Sequence, residues 1–244
     1  MTNLLDEAID AHGGRRRWRK ASEISAHLRT GGLLMASKLK RRGHFSDCGV
    51  SVAANRVHTV FRPYPRPGRT GVFDRGAVRI LDDDGDTVAE RTEPRPAFFG
   101  LSGLGRKLWW SDLDALYFGG YAIWNYLSTP WMLEGEGFSA EEGDPIQVGG
   151  EVLRRLEVRF PQGLPTHGRE QSFFFDAQGL LRRHHYTAEV IGSFARACHT
   201  CSEHATVDGL VFPKRRRVSL RGPGDRALPG PKVVTIDLAS ISVA

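Results

Sequence analysis

With 244 residues, 40% of them hydrophobic, the chain is long enough to bury a full core as one β-rich domain. Its net charge of +6 comes in short basic runs, RRRWRK (Arg15 to Lys20), KLKRR (Lys38 to Arg42) and KRRR (Lys214 to Arg217), set against acidic stretches such as DDDGD (Asp82 to Asp86). That is the pattern of a solvated surface, and with only three cysteines and no apolar run near the roughly eighteen residues of a membrane span, a disulfide framework and a transmembrane segment are both excluded.

The opening residues, MTNLLDEAIDAHGG, predict a short amphipathic helix with Leu4, Leu5, Ala8 and Ile9 on one face and a stop at Gly13 and Gly14. They carry neither a basic segment followed by an apolar one nor an early cysteine, so a cytoplasmic location is expected. Trp18 follows within one more possible turn. From Glu23 the pattern alternates, with Ile24, Ala26 and Leu28 inward, as in a half-buried strand. A second strand is expected from Cys48 to Phe61, followed by a proline-rich loop from Pro63 to Gly68. GVFD, AVRIL and TVAER continue as short strands, with DDDGD as the clearest turn.

Pro94 and Pro96 break the series, and from Phe98 to Trp131 helical spacing takes over. Ser111 with Asp114 resembles a capping box. Leu113, Leu116, Tyr117, Gly120, Tyr121, Trp124 and Leu127 then form one apolar stripe that must end before Pro130. Phe118, Ala122 and Asn125 lie on a second side. Tyr and Trp combine apolar area with a polar tip, so Tyr117, Tyr121, Trp124, Asn125 and Trp131 are the candidate ligand-binding residues. The alternative is an ordinary core helix packed on a sheet. Gly119 and Gly120 imply a close approach to its backbone.

Beyond Trp131 the strands resume as three hairpins, turning at Gly149 and Gly150, at Asp176 to Gly179, and at Asp208 and Gly209. A last alternating strand, KVVTIDLASISV, closes an antiparallel meander. The most polar strand region pairs HHYTAEV (His184 to Val190) with CHTCSEH (Cys198 to His204). Tyr186, His199, Glu203 and His184 are the candidate acid/base residues there. Cys198 and Cys201 are three apart on a strand and so face opposite sides, which argues against a metal site. No phosphate-cradling or dinucleotide motif is present, so no cofactor is expected. The basic runs are not interleaved with aromatics, so no nucleic-acid partner is expected either. Oligomeric state is left open.

AHGG (Ala11 to Gly14) with Trp18 behind it, a meander interrupted by a central helix, and a late hairpin reading VDGLVFPKRRRV (Val207 to Val218) together resemble the LolA-like lipoprotein-carrier superfamily, especially actinobacterial members without a signal peptide. The resemblance implies a curved, incomplete antiparallel β-barrel, a LolA-like half-barrel, over residues 1–244. Residues 1–20 would form its N-terminal helix region and 98–131 a helical lid. It also implies a hydrophobic small molecule, lipid-like or polycyclic, held in the concave cavity. The alternative is a cofactor-independent biosynthetic enzyme of cyclase or isomerase type using acid/base residues in that cavity. No catalytic residues carry over from the resemblance.

Overall fold

A computed structural model describes residues 3–39 and 44–244. Lys40, Arg41 and Arg42 of the second basic run lie outside the described residues. The chain begins with α1 (Asn3–Ala11) and α2 (Gly14–Trp18), followed by β1 (Glu23–Gly31), α3 (Leu33–Lys38), β2 (Cys48–Ala53) and β3 (His58–Arg62). Three short strands come next, β4 (Thr70–Asp74), β5 (Ala77–Leu81) and β6 (Thr87–Arg91), and then α4 (Asp112–Ser128). The C-terminal part holds β7 (Ser139–Val148), β8 (Glu151–Arg159), β9 (Glu170–Phe175), β10 (Leu181–Thr187), β11 (Arg196–Val207), β12 (Leu210–Leu220) and β13 (Val234–Val243).

All thirteen strands join in one sheet, ordered β6-β5-β4-β3-β2-β1-β13-β12-β11-β10-β9-β8-β7. The first and last strands meet in its middle, with Leu28 opposite Leu238 and Gly31 opposite Thr235. From there each half runs outward by hairpins, so the two free edges are β6 and β7. Both edges are polar, TVAER on one and SAEEGDPIQV on the other, and the second carries Pro145, which cannot donate to a further strand. The segment joining these edges carries α4, which packs on β2 to β6. The result is a curved, incomplete antiparallel barrel with a helix on its inner face.

The elements form for the expected reasons, with two exceptions. At α4, the Ser111 side chain accepts from the Asp114 N–H while the Asp114 carboxylate accepts from the Ser111 N–H, a complete capping box. The single strand expected from Cys48 to Phe61 is two strands joined through residues 54–57, because ANRV turns there without a glycine or proline to mark it. The six-residue helix LLMASK (α3) is too short for a helical period to register.

Core packing starts at α1, whose Leu4, Leu5, Ala8 and Ile9 are all buried. On the facing side of α4, a Cβ on Gly119 would sit 2.5 Å from the Phe45 ring, and one on Gly120 only 2.4 Å from Phe73 Cβ. The two glycines therefore let the helix backbone rest directly on aromatic side chains of the sheet side. Thr59 on β3 donates to the Gly120 carbonyl at 3.0 Å, pinning the same contact.

Candidate functional site

Helix α4 is buried all round from Asp114 to Ser128, so each aromatic on it has a partner inside the protein. Its first turn is locked from outside. The Asp114 carboxylate receives Arg91 of β6 at 2.5 Å and Arg106 at 2.8 Å. Burial opposes ionisation of Asp114, but the hydrogen bonds from Arg106, Ser111 and Arg91 hold its pKa below the usual carboxylate range.

Further along, His167 reaches in from the loop between β8 and β9 and joins two turns of the helix. Its Nδ1 shares a 3.2 Å hydrogen bond with the Tyr121 hydroxyl, and its Nε2 a 2.7 Å bond with the Tyr126 hydroxyl. The Tyr126 hydroxyl in turn shares a 3.0 Å bond with that of Tyr186 on β10. His167 also stacks on the Tyr186 ring, 3.9 Å between centroids and 7° from parallel. Burial, and then the charge on Arg95, push the His167 pKa down to about 3. The relay is therefore neutral at ordinary pH, one imidazole N–H and three phenols.

Two other inward-facing histidines flank it. His184 Nε2 bonds Gln171 Oε1 at 2.6 Å, and the Gln171 amide is held by Thr166 and Gly168. His199 is fully buried, and neither of its ring nitrogens has a hydrogen-bond partner. Its ring instead stands edge-on to Tyr126 at 4.7 Å. Burial drives both pKa values well down, reinforced at His199 mainly by Arg216 and at His184 mainly by His199.

Of the other predicted ligand-binding positions, Tyr117 borders open space. It lines a cleft of about 820 Å³ at the rim, between the turn after β4, the strand-to-helix segment at Pro94–Pro96 and the β8–β9 loop. Arginines and glutamates line this cleft, and several are paired: Arg95 with Glu189 at 2.6 Å, Arg159 with Glu170 at 3.8 Å. Trp124 donates to the Ala53 carbonyl at 3.2 Å. Asn125 donates to the carbonyls of Tyr121 and Pro165. Trp131 stacks on Trp18, 4.3 Å apart and 2° from parallel, so it closes the barrel against α2.

Glu203 is not brought to His199. Its backbone is left-handed, with φ of 56°, which breaks the alternation along β11 and leaves the side chain outside, paired with Arg215. The next residue, His204, turns inward instead and bonds the Leu181 carbonyl at 2.9 Å.

Apart from Tyr186, sequence reasoning missed the residues that border internal space. On the far side of α4 from Trp124, two apolar crevices of about 30 Å³ each meet at Phe118, Tyr186 and Val234. Ala122 and Tyr126 of α4 line the first, together with Met35 of α3 and Ile236 of β13. Leu34 of α3 and Ala197 of β11 line the second. The available signal was Phe118 and Ala122, already visible as a second apolar side of the helix.

No protein-family model matches the chain, and no curated protein matches it by sequence. Its fold is nonetheless similar to solved structures. A DUF1329 family protein from Desulfovibrio piger superposes with a TM-score of 0.53 at 13% identity, covering 98% of this chain and 91% of that one. A LolA superfamily protein from Nitrosomonas europaea gives 0.52 at 8% identity, covering 98% and 92%. A lipoprotein-sorting domain from Vibrio parahaemolyticus gives 0.50 at 8%, covering 98% and 90%. The architecture is thus that of a LolA-like half-barrel. At these identities the likeness speaks for the fold alone.

Proposed function

We propose that the protein is a carrier or receptor for a hydrophobic small molecule, lipid-like or polycyclic, held between α4 and the concave face formed by β10 to β13. The observation that carries this reading is the pair of apolar crevices meeting at Phe118, Tyr186 and Val234, on a helix buried from Asp114 to Ser128 that otherwise meets open space at Tyr117 on the polar rim cleft. At about 30 Å³ each, they are far below the roughly 300 Å³ at which ligand pockets begin, so a ligand must widen them. The element placed to give way is α3, six residues long and lining both through Leu34 and Met35. The rim cleft is larger but lined by paired charges, which suits water better than an acyl chain. One neighbour of the same fold, described as a lipoprotein-sorting domain, supports the reading by analogy. A single continuous sheet supports treating 1–244 as one domain. Three buried free cysteines favour a reducing compartment such as the cytoplasm.

A second reading, acid/base catalysis on the bound molecule, draws on Tyr186, which both lines the crevices and ends the relay from His167. The neutral histidines make this a site for phenol proton donation rather than for a strong base. Exposing the purified protein to cell extract and identifying what it retains by native mass spectrometry tests both readings. An intact hydrophobic molecule supports binding, a transformed product that disappears in Tyr186→Phe supports catalysis, and retention of nothing apolar overturns both.

A further inference from the structure

Of the eleven large apolar side chains that the described residues leave exposed, five fall between Phe99 and Trp109, so the exposure is concentrated in one segment. Leu101 is 87% exposed, Leu108 63% and Leu104 54%, with Trp109 and Phe99 nearly half exposed. Isolated exposed leucines need no explanation, but a contiguous group on one surface does.

These side chains do not project from a loose loop. Phe98 is buried against Trp110 and Tyr117 at one end of the segment. At the other end Trp110 is buried, and its backbone N–H donates to the Lys38 carbonyl at 2.8 Å. Between them the Arg106 guanidinium bonds Asp114 at 2.8 Å and the Ala97 carbonyl at 3.1 Å. The Lys38 ammonium donates to the carbonyls of Arg106 and Lys107. Short helical turns at Leu101–Gly103 and Gly105–Lys107 are thereby fastened from beneath, with Leu101, and Leu104 and Leu108 beside the second turn, exposed to solvent.

Within the segment itself all the charge is basic, and although Arg95 pairs with Glu189 and Arg106 with Asp114, Lys107 is exposed. From Pro94 to Ser111 the sequence has Arg95, Arg106 and Lys107 and no acidic residue. In sequence, Lys38, whose ammonium is tied to this segment, is followed by LKRRG, again basic without an acid. Leucines with a tryptophan and the exposed Lys107 among them match the layers of an anionic lipid surface. Apolar tips reach the acyl boundary, the indole sits at headgroup depth, and the cations meet lipid phosphates.

We propose that Phe99–Trp109 is a docking surface that seats the protein on a bilayer containing anionic lipid. Seating of this kind is independent of whether the crevices hold a ligand, and ligand retention by the variants below reports on that separately.

Flotation of the full chain with vesicles of phosphatidylcholine, and of phosphatidylcholine with about 30% phosphatidylglycerol, tests the proposal. The wild type should float with the anionic vesicles and only weakly with the neutral ones. The triple variant Leu101→Ser, Leu104→Ser, Leu108→Ser should lose on the order of tenfold in partitioning. Because all three leucines are exposed, its unfolding midpoint should match the wild type. Lys107→Glu should weaken flotation severalfold and steepen no other property. Equal flotation of the wild type and the triple variant would mean that net charge alone drives association, and would overturn the proposal. So would failure of the wild type to float with either vesicle. Self-association in sedimentation velocity, lost in the triple variant and without vesicle binding, would assign the patch to a second copy of the chain instead.

Discussion

Arg216 on β12 donates through Nη2 to the Tyr126 carbonyl at 2.7 Å, with its guanidinium 4.9 Å from the centre of the Tyr126 ring. It is 1% exposed, its Nη1 donates to Cys201 Sγ at 3.3 Å, and it makes no ion pair with a carboxylate among the described residues. A buried cation of this kind needs a counter-charge, and the last turn of α4 provides one. Tyr126 lies two residues before the helix end, where unbonded carbonyls carry the negative pole of the helix dipole. Arg216 thus caps α4 from the opposite half of the sheet and fastens the helix across the barrel.

Arg216→Ala should therefore lower stability by about 3 kcal/mol, through the lost charged hydrogen bond and the space left behind. Arg216→Met fills most of that space and removes the buried charge together with its bond, so its loss should be about 1 kcal/mol. Urea titration of the two variants checks the order, and Met no better than Ala would sink the capping account.

The adjacent glycines should respond differently to alanine. At either position a methyl gains about 1 kcal/mol of helix propensity. At Gly119 the methyl meets the far tip of the Phe45 ring, which can swing, so the net change should be small. At Gly120 it meets Phe73 Cβ, next to the backbone of β4, where only a shift of helix against sheet gives relief. Gly120→Ala should be destabilised by about 2 kcal/mol relative to wild type, and thermal melts of the two variants measure the difference.

Acid should unfold the protein earlier than its carboxylates alone would require. His167, with its pKa held at about 3, is neutral when folded and titrates near 6.5 when unfolded. Below pH 6.5 the unfolded chain binds a proton that the folded one does not, so stability is complete above that pH and falls as pH drops toward 3. Between pH 6.5 and 5 this one residue should account for about 2 kcal/mol. His184 and His199 act in the same direction. Urea midpoints at pH 7.5 and 5.0 test this, and His167→Gln should flatten the slope by roughly the share of one histidine.

How much of this was legible in the sequence depended on whether a local signal existed. Ser111, Asp114 and Pro130 bound α4 correctly, because capping and proline geometry act within a few residues. Its orientation was not legible. A helix buried on every side gives a periodic stripe, but periodicity cannot say which neighbour each side meets, and so Tyr121 and Trp124 were favoured over Phe118 and Ala122. Arg216 was hidden in KRRR, which reads as a solvated run. Strand alternation from Leu210 through Phe212 to Val218 nevertheless places it on the buried face. Glu203 could not have been excluded, since its left-handed backbone follows from tertiary packing that no neighbouring residue announces.

The orientation of α4 gives the binding proposal two variants with opposite expected effects. Phe118 lines both crevices where they meet, so Phe118→Ala should merge them into one larger apolar space. Stability should drop by about 3 to 4 kcal/mol, while binding of a fluorescent polyene fatty acid should tighten severalfold. Ala122 lines the first crevice, and Ala122→Phe should fill it, with strain of about 1 to 3 kcal/mol and loss of binding. Trp124 faces Ala53 on the other side of the helix, so Trp124→Ala should destabilise the fold and leave fatty-acid affinity unchanged in the protein that remains folded. Fluorescence titration of the three variants separates the faces of α4. Tightening by Ala122→Phe, or loss of affinity confined to Trp124→Ala, would move the ligand to the opposite face of the helix.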